Sequence, residues 1–143
     1  MKSIPIVVLD TNVVESAMRS KRGASFAVLS RVGTGAFDIA VSVPLVLEYE
    51  EVLLRQAAGE GRSAEAVGDL LDYLCSVALR KAVFFLWRPF LADPDDDMVL
   101  ELAVAARCDA IVTHNQRDFR GVEQFGLAVL NPAAFLKQIG INP

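Results

Sequence analysis

The sequence predicts an α/β fold built around a parallel sheet that is buried on both faces. Three observations carry this prediction. Runs of four to seven near-continuous apolar residues recur along the chain, longer segments of helical periodicity follow them, and the composition is apolar enough to cover such a sheet. Of 143 residues, 53% are hydrophobic and 22% charged, and the mean hydropathy is +0.38. That length suits one domain of ordinary size, with no linker, repeat or low-complexity segment, and the composition excludes a disordered tail. Lys and Arg number 14 against 18 acids, for a net charge of −4. Bulk charge alone therefore argues against a broad basic face for nucleic acid.

The elements follow in order. Residues 4–9 are rich in β-branched side chains and stop at a polar cluster, as a buried strand does. Thr11 or Asn12 then caps a short helix to about Arg19, and Lys21-Arg22-Gly23 separates it from a second helix over 25–32. Residues 37–43 form the second strand. Ser42 caps the next helix, 45–56, and Pro44 suits its first turn. A long amphipathic helix covers 63–81, with Val67, Leu70, Leu71, Leu74 and Val77 on one face. A third strand is expected at 83–87, with Phe84, Phe85 and Trp87 in the core. The helix over 95–107 opens on a run of acids that its dipole favours. The fourth and fifth strands fall at 110–113 and 127–130, and a last helix at 133–139.

Cys75 and Cys108 fit no metal or redox spacing, so buried thiols in a reducing cytoplasm are expected. The apolar run after Met1 is cut at once by Asp10-Thr11-Asn12, unlike a secretion signal. No uncharged stretch reaches the roughly 18 residues a membrane span needs.

In parallel sheets of this kind ligands bind in the crevice at the carboxyl ends of the strands. Acids gather at those ends. Asp10 closes the first strand, and Glu48 lies within the helix after the second. Asp93, Asp95, Asp96 and Asp97 open the helix after the third, and Asn115 and Asp118 follow the fourth. Taken singly, Asp10 reads equally as a helix cap, and Asp95–Asp97 as a solvated helix start. Together, carboxylates from four junctions would repel one another unless a cation compensates them. Oxygen ligands of this type suit Mg²⁺ or Mn²⁺, and no His or Cys set suits zinc. A divalent ion held this way suits hydrolysis of phosphodiesters by an activated water. There is no Gly-rich phosphate loop, no G-x-S-x-G turn and only one histidine, His114, which reads as a loop residue with a local hydrogen bond.

Four segments carry a resemblance to a known family. They are Val8-Leu9-Asp10-Thr11-Asn12-Val13-Val14, Ser42-Val43-Pro44-Leu45-Val46-Leu47-Glu48-Tyr49, Asp93-Pro94-Asp95-Asp96-Asp97-Met98-Val99-Leu100, and Ile111-Val112-Thr113-His114-Asn115. In this order and at these separations, the sequence resembles the PIN domain family, and within it the VapC-like toxin components of prokaryotic toxin–antitoxin systems. The resemblance covers nearly the whole chain. It implies a single three-layer α/β/α domain over 1–143 and a Mg²⁺- or Mn²⁺-dependent ribonuclease with one or two ions. Asp10, Glu48 and Asp96 match the family's acidic ligands, although Asp97 is the alternative register for the third. Asn115 stands where the family often has a fourth acid, and Asp118 is the nearest carboxylate to replace it. Asn12 matches the residue that supports the first acid, Thr113 matches a hydroxyl near metal or phosphate, and Asp93 and Asp97 flank the site.

RNA phosphates would meet a basic rim of Arg19, Lys21 and Arg22, joined by Arg88, Arg117 and Arg120 from other loops. The resemblance further implies a cognate antitoxin protein, a homodimer through the helices of residues 45–80, and no membrane partner. Two other readings stand beside this one. Asn115 admits a catalytically degraded module that binds RNA or protein. A phosphatase with Asp10 as nucleophile lacks its usual second Asp, since Asn12 occupies that position.

Overall fold

The computed structural model describes residues 4–83 and 90–141. Five strands, β1 (Ile6–Leu9), β2 (Asp38–Val41), β3 (Leu79–Arg80), β4 (Ala110–Val112) and β5 (Ala128–Leu130), form one sheet in the order β3-β2-β1-β4-β5. Every pairing is parallel. The helices are α1 (Thr11–Arg19), α2 (Ala24–Leu29), α3 (Val43–Gly59), α4 (Ala64–Val77), α5 (Pro94–Ala105) and α6 (Pro132–Gln138). Two single-turn 3₁₀ segments, Gln116–Phe119 and Val122–Phe125, lie between β4 and β5.

The strand order fixes the layers. From β1 the chain moves outward to β2 and β3, then returns across the sheet to lay down β4 and β5. Right-handed crossovers put the helices of these two halves on opposite faces. In agreement, α1 packs on α2 and α3 and α3 on α4, whereas the crossover helix α5 lies against β1, β2 and β4; α6, which follows the last strand, returns to pack on α2. Val7, Val8, Leu9, Ile39, Ala40, Ile111 and Val112 are buried between the layers. Alternate strand positions face opposite layers, so apolar residues in succession are what a sheet covered on both faces requires.

The structure corrects two of the expected elements. Helix α4 stops at Val77 instead of running to Lys81: Ala78 is extended, and Leu79 and Arg80 pair with Ala40 and Val41 as β3. Pairing to the open edge of β2 outweighs the helical preference of these residues, which is a modest bias per residue. Val83 belongs to no strand. The remainder of the strand expected at 83–87, the core roles of Phe84, Phe85 and Trp87, and Arg88 all lie outside the described residues. The second correction is at α1, whose cap is Asp10 and neither Thr11 nor Asn12. Ser42, Ser63 and Asn131 cap α3, α4 and α6 through their side chains, each worth roughly 1 kcal/mol. Both cysteines are free, Cys108 is buried and Cys75 half-buried. Among the described residues no helix is long and apolar enough to cross a membrane.

Candidate active site

Strands β1 and β4 are neighbours whose onward connections leave in opposite directions. That makes the gap between their carboxyl ends the topological switch point, where an open parallel sheet forms its crevice. Asp10 and Thr113 stand at that gap. The Asp10 N–H donates to the Val112 carbonyl at 2.9 Å, and the Thr113 N–H to the Leu130 carbonyl at 2.9 Å, so both residues continue the sheet's hydrogen bonding.

Asp10 is 8% exposed, and its two oxygens are divided between tasks. Oδ1 accepts the Thr11 N–H at 2.9 Å and so caps α1. Oδ2 accepts the Thr113 hydroxyl at 2.8 Å and the Asn12 amide at 3.3 Å. Thr113 Oγ1 in turn accepts the Asn12 amide at 3.2 Å and the Asn115 N–H at 3.0 Å, which leaves its own proton directed to Asp10. Asn12 Oδ1 accepts the His114 N–H at 3.1 Å. Cap and crevice are thus one side chain doing both. Burial pushes the Asp10 carboxyl above its ordinary value; the Thr113 and Thr11 hydrogen bonds pull the other way, while the charges of Asp118 and Asp93 push it up again.

Glu48 accepts the Thr11 hydroxyl across the α1–α3 interface. Its neighbour Tyr49, 1% exposed, donates its hydroxyl to the Leu9 carbonyl. Helix α3 is thereby tied to the residue just before Asp10. The Glu48 carboxyl is raised first by burial, then by the negative charges of Asp95 and Asp10. Asp96 is raised to about 7, again chiefly by burial, with the charges of Asp10, Asp93, Asp118 and Asp95 adding to it.

The acidic run at the start of α5 is divided. Asp93 caps the helix, accepting the Asp95 N–H at 2.9 Å. Asp97 Oδ1 accepts the Phe90 and Leu91 N–H groups at 3.2 and 2.9 Å, and so holds the loop that enters the helix. The charge of Asp95 acts on Glu48, and that of Asp10 on Asp96. Asn115 is exposed, and its backbone N–H serves Thr113. Asp118, in the 3₁₀ turn anchored by fully buried Phe119, adds a negative charge that reaches both Asp10 and Asp96.

Of the expected basic rim, Arg19 pairs with Glu15 at 3.0 Å. Lys21 and Arg22 occupy the exposed turn before α2 and make no ion pair among the described residues. That turn lies beside the end of β4, because Ser25 at the start of α2 sits 2.7 Å from His114 Nε2. Ser25, Tyr49 and Thr11 had no place in the site as read from sequence, and Asp95 stood among its acids without a role of its own. For Asp95 the signal was present, since it adjoins Asp96 in the acidic run. The Ser25–His114 contact joins positions 89 residues apart and leaves no local trace.

The donor set tests whether a divalent ion fits. Among the described residues no three acidic, His or Cys side chains stand in a ligating arrangement as placed. Three carboxyls, those of Asp10, Glu48 and Asp96, are nonetheless raised across one crevice, and the negative charges of Asp93, Asp95 and Asp118 contribute to it. An all-oxygen donor set carrying uncompensated negative charge is what Mg²⁺ or Mn²⁺ takes, so the residues fit the ion by chemistry.

The comparisons with known proteins agree with this architecture. A family model described as PIN domain matches residues 6–117. The chain belongs to the PIN domain family. Among solved structures it is similar to VapBC2 from Rickettsia felis bound to a DNA fragment from their promoter. The TM-score there is 0.58 at 17% identity, covering 88% of this chain and 98% of that one. It is also similar to VapBC-1 from nontypeable Haemophilus influenzae, with a TM-score of 0.55 at 14% identity, covering 89% and 98%. At these identities the likeness is one of fold. No curated protein matches the sequence.

Proposed function

We propose that this protein is a Mg²⁺- or Mn²⁺-dependent endoribonuclease and the toxin of a toxin–antitoxin pair. The observation that carries the reading is the cluster of mutually repelling carboxylates at the β1–β4 switch point, with Asp96 raised to about 7. A fold that keeps such a cluster has a cation to offset it. Asp10, Glu48 and Asp96 would hold the ion, with Asp118 and the Asn115 amide completing the set around one ion or two. When bound, the ion supplies charge neutralisation at a phosphodiester and a lowered pKa for the attacking water. Thr113 and Asn12 hold Asp10 in one orientation, Thr11 does the same for Glu48, and Asp93 and Asp97 shape the loop that presents Asp96. Arg19, Lys21 and Arg22 would meet RNA phosphates at the rim.

Membership of the PIN family and the fold shared with VapBC complexes support an antitoxin partner. So does the start of α3, where Val43 is 73% and Leu47 58% exposed beside an apolar groove of about 290 Å³. A homodimer through α3 and α4 would cover part of the same surface. The two free thiols suit a reducing cytoplasm. Purified protein incubated with RNA and Mg²⁺ or Mn²⁺ tests the activity, against EDTA and Asp10→Asn. Cleavage that survives both controls would assign the activity elsewhere. The uncharged Asn115 favours one alternative, a degraded module that binds RNA or a protein partner without cleaving. Calorimetric titration with Mn²⁺ separates the two, because a degraded site would take the ion no better with RNA present.

A further inference from the structure

Beside the acid cluster, on the β4 side, lies an open polar groove of about 560 Å³ lined by His114, Asn115, Gln116, Arg117 and Asp118. It joins the cluster directly, since the Asn115 N–H bonds Thr113 and the charge of Asp118 reaches Asp10 and Asp96. The one histidine of the chain stands at its head. His114 is exposed, yet it is held twice. Its backbone N–H donates to Asn12 Oδ1 at 3.1 Å, and its Nε2 lies 2.7 Å from the hydroxyl of Ser25, a residue only 2% exposed. A solvated loop histidine has no need of a buried serine. The bond fixes the ring while His114 lines the groove. Arg117, in the same groove, makes no ion pair among the described residues.

We propose that this groove carries the single-stranded nucleotide adjoining the scissile phosphate, with its base stacked on the His114 ring and its phosphate met by Arg117. The inference rests on the ribonuclease reading and adds to it the two side chains, His114 and Arg117, that would hold the strand beside the acid cluster. Flat side chains stack the splayed bases of single-stranded RNA, and a paired helix withholds its bases from them. Stacking on one aromatic ring strengthens binding by about tenfold or more per base, and a phosphate contact contributes a salt-dependent share.

The experiment measures fluorescence anisotropy of a labelled single-stranded RNA of about 12 nucleotides, a length comparable to known single-strand site sizes. It uses the full chain carrying Asp10→Asn, with Mn²⁺ present. In that background His114→Ala is expected to weaken binding about tenfold, matching the stacking range. His114→Phe, which keeps a flat ring but loses the Ser25 contact, stays within about threefold on the same basis. Arg117→Ala lowers the slope of log K against log salt by about 0.7, the share of one phosphate on a single strand. Arg55→Ala, an exposed arginine paired with Glu51 on α3, leaves both quantities unchanged. The same sequence as a blunt duplex binds more weakly than the single strand.

Equal losses for His114→Ala and His114→Phe would make the residue a tether for α2 and overturn the stacking role. Undiminished binding by His114→Ala and Arg117→Ala, in a protein whose unmutated form cleaves RNA, would overturn the groove alone. A folded Asp10→Asn chain that holds no RNA, together with an inactive unmutated chain, would overturn the ribonuclease reading and the groove with it.

Discussion

Three successive aspartates at the start of α5 are chemically alike and do different work. Asp97 spends its carboxylate on two backbone N–H groups, whereas Asp96 faces the charges of four other acids. Their variants should therefore separate. Asp96→Asn is expected to reduce RNA cleavage by about two orders of magnitude or more with little loss of stability, because it removes a repelled charge. Asp97→Ala should instead lower stability by about 1 kcal/mol, having left N–H groups without their acceptor, and keep a larger share of activity. Cleavage assays paired with urea titrations check both, and equal activity losses at the two positions would contradict the division. Thr113 offers a second test. Thr113→Val preserves shape but deprives Asp10 Oδ2 of its 2.8 Å donor and leaves it only the longer bond from the Asn12 amide, and losing a buried hydrogen bond to a charged group costs about 1–3 kcal/mol. Lower stability and roughly tenfold weaker Mn²⁺ binding, read by calorimetry, are the expected results, each tenfold being about 1.4 kcal/mol. The acids were legible in the sequence because strand ends are. Which acid of the run serves the crevice was not, since it depends on a loop bend that Asp97 itself maintains.

At the scale of elements, α3 is the piece whose placement matters most. Ser42 and Pro44 start it, as read from the sequence, and these fix where along the chain it begins. What fixes it against β1 is Tyr49, whose buried hydroxyl bonds the Leu9 carbonyl. Burial and the nearby Asp10 and Glu48 charges hold that phenol far above its ordinary value, so it remains a donor at every working pH. Tyr49→Phe is expected to cost about 1–2 kcal/mol, from the orphaned carbonyl and the lost bond. Activity should fall as well, because Glu48 rides on the same turn, and recovery of full activity at low temperature would show that the bond serves stability alone. Nothing in the apolar pattern of α3 distinguishes Tyr49 from its neighbours, so this tie was invisible until the fold placed it. The end of α4 was misread for a related reason. Residues 79 and 80 are helix-compatible locally, and only the exposed edge of β2 turns them into a strand.

For the molecule as a whole, the crevice sets a dependence on pH. In the absence of metal, Asp96 protonates at about 7 in the folded chain against 3.8 unfolded, and Asp10 and Glu48 shift in the same direction. Between those values the folded state holds protons that the unfolded state has released. The resulting stabilisation is complete below the unfolded value and is lost as pH rises through the folded one. In EDTA the melting temperature should therefore decline from pH 5 to pH 8. Mn²⁺ should restore it most at the upper end, where no proton competes for the carboxylates. A melting temperature that rises over that range in EDTA would contradict the repulsion at the site. The overall acidity that argued against nucleic acid is thus partly local, gathered where a cation would offset it.

The join between β1 and β4 also dictates when the crevice comes into being. Asp10 and Thr113 are 103 positions apart and bond each other directly. A ribosome that has released only the first two-thirds of the chain has produced β1, α3 and their acids, but neither the hydroxyl that orients Asp10 nor the strand that closes the gap. If the protein is a toxin, the cell that makes it is spared the half-made product: synthesis must pass Thr113 before there is anything to restrain, and an antitoxin has that interval in which to arrive.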